Sequence, residues 1–183
     1  MARAKPAKSG KTPDAIALLK ADHREAEDLF EQFEKARDAD RKQRLAIQVC
    51  NALKIHTKIE EEIFYPAFLE ATDETDIHHE AEVEHAGAEK LIAEIEGSSP
   101  DDDYFDAKVK VLSEMIKHHV KEEERPGGMF SKSRDSDMDL QALGEQLATR
   151  KAELEGEIDD GDMPPPTRGQ KERSQAGRMA RAR

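Results

Sequence analysis

The sequence predicts an all-α protein: an up-and-down antiparallel four-helix bundle with an additional C-terminal helix. Two observations carry this expectation. Ala, Leu, Glu and Lys dominate, while Val, Ile, Tyr and Phe never alternate over the length a strand needs. Apolar residues recur instead at spacings of three and four in successive stretches. The segments between these stretches are short, so consecutive helices must turn back on one another.

The first helix starts at Thr12-Pro13-Asp14, a capping hydroxyl, then proline at the first helical position, then an acid. Its stripe is Ile16, Leu19, His23, Ala26, Phe30 and Phe33. The second stripe runs Leu45, Val49, Ala52, His56, Ile59 with Glu60, and Ile63. That helix is expected to bend or end near Tyr65-Pro66, because proline lacks an N–H and clashes with the preceding turn. The third stripe is His78, Ala81, His85, Ala88, Ile92 and Ile95, closed by Gly97-Ser98-Ser99-Pro100. The fourth is Phe105, Val109, Leu112, Ile116, His119 and Glu123, with Asp101-Asp102-Asp103 read as its cap and Arg125-Pro126-Gly127-Gly128 as its end. A fifth amphipathic segment, about 137–158, carries Leu140, Leu143, Leu147, Leu154 and Ile158. It either docks on the outside of the bundle or pairs with a second copy to make a homodimer.

With 183 residues the chain suits one domain with tails, and 36% hydrophobic residues without tryptophan supply one modest core. The expected division is a basic, disordered tail over 1–13, the bundle over 14–158 and a basic, disordered tail over 159–183. Net charge is −12, of which residues 1–13 contribute +4 and residues 164–183 contribute +5, leaving −21 on residues 14–163. So acidic a body repels nucleic acid and anionic membranes. No stretch approaches the roughly 18 apolar residues that span a bilayer. The basic N-terminus lacks the apolar run of a signal peptide. A single cysteine, Cys50, excludes an internal disulfide and fits a reducing, cytoplasmic location; it is read as a packed thiol.

Each of the first four stripes carries a seam histidine: His23, His56, His85 and His119. One such residue is ordinarily a hydrogen-bonded core histidine. Several imidazoles and carboxylates buried together each need a partner, and a metal supplies all of those partners at once. His56 is followed four residues on by Glu60, and His119 by Glu123, one turn along the same face. Imidazole nitrogens with bridging carboxylates suit iron, with zinc or manganese as alternatives. The two halves repeat, since His23 to His56 is 33 residues and His85 to His119 is 34. Two such helix pairs about a pseudo-twofold axis would gather these side chains around one cavity able to hold two metals with carboxylates between them.

The segments KADHREAEDLF, HTKIEEEIFYP, EAEVEHAGAEKLI and HHVKEEE resemble the hemerythrin, or HHE cation-binding, family over roughly residues 14–155. The resemblance implies a four-helix bundle with a non-haem di-iron centre, two iron ions per chain joined by oxo or carboxylate bridges. That centre would bind oxygen or related small ligands. By position the resemblance implies His23, His56, Glu60, His85 and Glu123 as ligands, with one histidine of the pair His118-His119. An ungapped match of HHVKEEE to HTKIEEE selects His118 with Glu122. The phase of Phe105, Val109, Leu112 and Ile116 selects His119 with Glu123, and is preferred because the metal must lie in the seam.

One departure bears on activity. Oxygen carriers of the family place two histidines four apart on the third helix, but Ala81 stands four before His85 here. His78 lies two turns from His85, about 10 Å along the axis. One metal is therefore expected to keep an open position. Glu27 and Glu89, four after seam histidines, are candidates to fill it but are read as solvated helix-face acids; Tyr65, which follows the second-helix ligands, either lies near the metal or, the commoner role, packs ahead of Pro66. An open position suits reaction with peroxide, or sensing of oxygen, nitric oxide or iron, better than reversible oxygen carriage. The leading expectation is a sensor or weak oxidoreductase. The alternatives are a non-enzymatic iron buffer or iron-sensing module and, third, a metal-free helical interaction protein.

Overall fold

The computed structural model describes residues 12–159; residues 1–11 and 160–183, and with them nearly all of both expected tails, lie outside the described residues. The described elements are α1 (Ala15–Lys35), α2 (Ala39–Ile59), a π-helical turn (Glu60–Phe64), α3 (Tyr65–Thr72), α4 (Thr75–Glu96), α5 (Phe105–Glu124), α6 (Met129–Asp135) and α7 (Leu140–Asp159). No strand occurs among them. The bundle is α1, α2, α4 and α5, with α1 packed on α2 and α5, and α4 packed on the same two helices. The chain is all-α, as its apolar periodicity predicts.

Local chemistry moves several helix ends from their expected places. Asp14, not Thr12, caps α1: its extended backbone lets Oδ1 accept the Ala17 N–H at 2.8 Å. Asp38 does the same for α2, through the Arg41 N–H. The Asp101–Asp103 run does not cap α5. Asp102 lies too far upstream and instead accepts the Ser99 N–H at 2.7 Å, closing the loop before the helix.

Helical structure also continues past Pro66 to Thr72, where Asp73 ends it in the left-handed conformation (φ 55°). The π turn immediately before Pro66 makes this continuation tolerable. Its i→i+5 bonding spares one carbonyl a partner, so the N–H that proline lacks is not missed.

After α5 the chain reverses through Gly127 (φ +75°) and Gly128. A Cβ on Gly128 would stand 2.2 Å from the Glu122 carbonyl oxygen, so only glycine lets this turn press against the end of α5. The short α6 that follows has no counterpart in the expected elements. It buries Met129 and Phe130. The fifth expected segment is α7, which docks on α1, α2 and the π turn of its own chain, burying Leu147 and Leu154.

The buried apolar residues fall into two clusters. One holds Ala26, Phe30, Phe33, Val49, Leu53, Leu112 and Ile116; the other holds Ile16, Leu19, Ile59, Phe64, Phe68, Met129, Phe130 and Leu147. Between them, at the level of the seam histidines, lies a layer of buried polar side chains.

Candidate metal centre

That layer contains all six residues expected to ligate. His23 comes from α1, His56 from α2, Glu60 from the π turn, His85 from α4, and His119 and Glu123 from α5. All are buried, Glu60 completely. They form two histidine pairs, His23 with His56 and His85 with His119, each with ring centroids 4.8 Å apart. Each carboxylate reaches into both pairs. Glu60 Oε2 is 3.2 Å from His56 Nε2 and 3.4 Å from His85 Nε2, while Glu123 Oε2 is 3.4 Å from His23 Nε2 and 3.6 Å from His119 Nε2. The ligand atoms of His23, His56 and Glu60 cluster within 4.8 Å of one another, as do those of Glu60, His85 and His119, so Glu60 is common to both groups.

The alternative on α5 does not enter this layer. His118 is 60% exposed and meets Glu84 Oε1 at 3.3 Å, and Glu122 bonds Arg125. His78 is half-buried, edge-on to Tyr65, and Glu27 pairs with Arg24 at the surface.

A model of the hemerythrin HHE cation-binding domain matches residues 14–126, most of the chain. The chain belongs to this family. Over 107 residues the HHE chain is 27% identical to a protein named DNA nickase from Nostoc sp. (strain PCC 7120). That match covers 58% of the HHE chain but only 30% of the Nostoc protein, so the chain spans under a third of that relative's length. Among solved structures, a hemerythrin HHE cation-binding domain-containing protein from Mycobacterium kansasii has the same fold. Its TM-score is 0.67 at 22% identity, over 79% of this chain and 88% of that one. The helices α6 and α7 lie beyond residues 14–126, which the family model matches.

In this HHE domain an outer ring of acids faces the second nitrogen of every seam histidine. Nδ1 of His23 meets Glu124 at 2.8 Å, that of His85 meets Glu61 at 2.9 Å, and that of His119 meets Glu84 at 2.8 Å; Asp22 stands 3.6 Å from Nδ1 of His56. A carboxylate on Nδ1 fixes the ring and turns Nε2 inward. None of these four acids was singled out from the sequence, because with 41 acidic residues in the chain no single one stands out.

The electrostatics follow from this packing. Burial alone would lower the histidines, but Glu123 lifts His23 to about 9, and Glu60 with Glu61 lifts His85 to about 10. His119 is also raised, by Glu123 and Glu84 against the effect of burial. Burial pushes Glu60 up, yet the charges of His56 and His85 hold it well below the usual carboxylate range. The buried carboxylates thus favour the protonated forms of His23 and His85 in the metal-free chain.

Tyr65 is not merely packing. Its hydroxyl lies 3.3 Å from both Glu60 Oε2 and Glu123 Oε1, and 3.1 Å from His85 Nε2. In a regular α-helix a residue five on from Glu60 would be turned away by about 140°. The π turn, closed by the Tyr65 N–H on the Glu60 carbonyl, brings it back to the same side. Burial, followed by the charges of Glu60 and Glu123, holds this phenol protonated well above its ordinary range.

The residues fit a cation. Glu60 Oε1, Glu123 Oε2 and His119 Nε2 are buried without a hydrogen-bond partner, and a cation would supply one to all three. The nitrogen and carboxylate donors suit first-row transition metals. Beside the four imidazoles is a cavity of about 20 Å³, floored by Ala26, Ala52, Leu53, Ile116 and Val120, with room for one water-sized molecule.

Proposed function

We propose that this HHE domain holds two iron ions through His23, His56, Glu60, His85, His119 and Glu123, and presents them to oxygen, peroxide or nitric oxide as a sensor or weak oxidoreductase. The observation that carries the reading is the shared carboxylate. Glu60 belongs to both histidine groups and Glu123 lies between His23 of one and His119 of the other, an arrangement that suits two cations held in common. When bound, iron would supply the one-electron chemistry of the centre.

The protein's own contributions are separable. Glu124, Asp22, Glu61 and Glu84 orient the imidazoles, and the apolar floor of the cavity excludes water while admitting a small neutral molecule. The Tyr65 hydroxyl, where Ala81 offers no donor, is a neutral group able to give a hydrogen bond or proton into the centre. The Nostoc relative's name refers to DNA. The charge of −21 on residues 14–163 repels a phosphate backbone, and that activity is not carried over.

Metal analysis and an absorption spectrum of protein purified in air test the reading. Two irons per chain with near-ultraviolet charge-transfer bands are expected, and a single tightly held zinc would overturn it. Iron without reactivity toward oxygen or peroxide would move the assignment to an iron buffer.

A further inference from the structure

The centre has a second small cavity beside it, distinguished from the first by the charged side chains in its lining. It also measures about 20 Å³, and its lining runs from exposed Glu80 and Arg125, past Glu84 and Ala81, to buried His119 and Glu123. Ala81 leaves the passage narrow but free of a donor. At the outer end the ligand atoms of Glu80, Glu84 and His118 lie within 4.8 Å of one another. Glu80 and Glu84 are one turn apart on α4, and His118 projects from the facing α5. At the inner end, His119 Nε2 and Glu123 Oε2 are buried and without a partner. Glu84 joins the two ends, its Oε1 3.3 Å from His118 Nε2 and its Oε2 2.8 Å from His119 Nδ1.

Charge selects what such a passage admits. Among the described residues Glu80 is in no ion pair, and Glu122 is neutralised by Arg125 at 2.6 Å. The mouth therefore keeps the negative charge of Glu80, beside a Glu84 shared between the imidazoles of His118 and His119. Carboxylates with imidazole suit a divalent first-row transition cation, and the imidazole disfavours magnesium or calcium.

We propose that Glu80, Glu84 and His118 form a surface site that captures a divalent transition-metal cation and passes it, past Ala81, to His119 and Glu123. The inference rests on the reading of the inner cluster as a metal centre. It divides the traffic: cations arrive between α4 and α5, and the small neutral ligand occupies the apolar cavity.

The test is the rate at which metal-free protein takes up cobalt(II), followed by visible absorption under anaerobic conditions, with final content from metal analysis. The double variant Glu80→Gln/His118→Ala should load roughly tenfold more slowly than wild type at low ionic strength yet reach the same final content. Glu80→Lys, which places a cation at the mouth without touching the centre, should be slower still. Added salt should slow the wild type and narrow the difference. Glu34→Gln, at an exposed acid elsewhere on this acidic chain, should load like wild type. Unchanged rates in both mouth variants overturn the proposal, as does equal slowing by Glu34→Gln. A lower final content in the double variant would make these residues part of the centre and overturn it too. Wild-type protein that takes up no cobalt would refute the centre itself, a distinct result.

Discussion

At the scale of the residue, a rotation of about 100° separates the buried layer from the surface. His118 and His119 are neighbours in sequence, yet a one-residue step rotates a side chain by about 100°. His119 is buried against Glu123 and His118 stands at the surface. His119→Ala should therefore sharply lower metal content at equilibrium and any oxygen-dependent spectrum, since Glu123 would be left a buried charge with less compensation. His118→Ala should leave final content near wild type. Metal analysis of the two variants side by side checks the ranking, and the reverse order would return the α5 ligand to His118. The positions of the inner histidines and glutamates were legible because each interrupts an apolar stripe. The outer acids were not, because Asp22, Glu61, Glu84 and Glu124 lie just off the seam, where acids are commonplace.

At the scale of the element, amphipathic periodicity gave the long helices but not the joints between them. The π turn is invisible to a count of threes and fours, since one additional residue per turn shifts the phase only locally, and Pro66 pointed to a break that the turn absorbs. The seven-residue α6 is too short for a periodic pattern, although its Phe130 stacks on His23 with ring centroids 5.6 Å apart. α7 was legible as amphipathic, but sequence left open whether it docks or dimerises. Its fully buried Leu147 lies against its own bundle. Leu147→Ala should cost roughly 2–5 kcal/mol, read as a lower midpoint in chemical denaturation with the slope unchanged. A cost near zero would show that α7 is not anchored in solution.

At the scale of the whole molecule, a polar layer divides the apolar core, so stability should depend on what fills that layer. Without metal, the raised His23 and His85 imidazoles lie against Glu60 and Glu123 and favour their own protonated forms. His23 and His85 are raised from 6.5 to about 9 and about 10, so their stabilisation is complete below pH 6.5 and lost as pH climbs through those values. Melting of the metal-free protein should fall between about pH 7 and about pH 10. Metal-loaded protein should melt clearly higher at neutral pH and should instead release its metal on acidification, as protons displace the cation. Calorimetry of both forms across this range measures it; identical profiles would rule out an interior site. A final consequence comes from where α7 docks. Gly144 approaches the Pro13 carbonyl too closely for any Cβ, and Lys151 bonds Asp22 at 2.6 Å, contacts that tie the last described helix to the first. During synthesis the face of α1 that α7 covers must therefore wait, uncovered, until α7 has left the ribosome. The first described helix is thus fully enclosed only after the other described helices have been made.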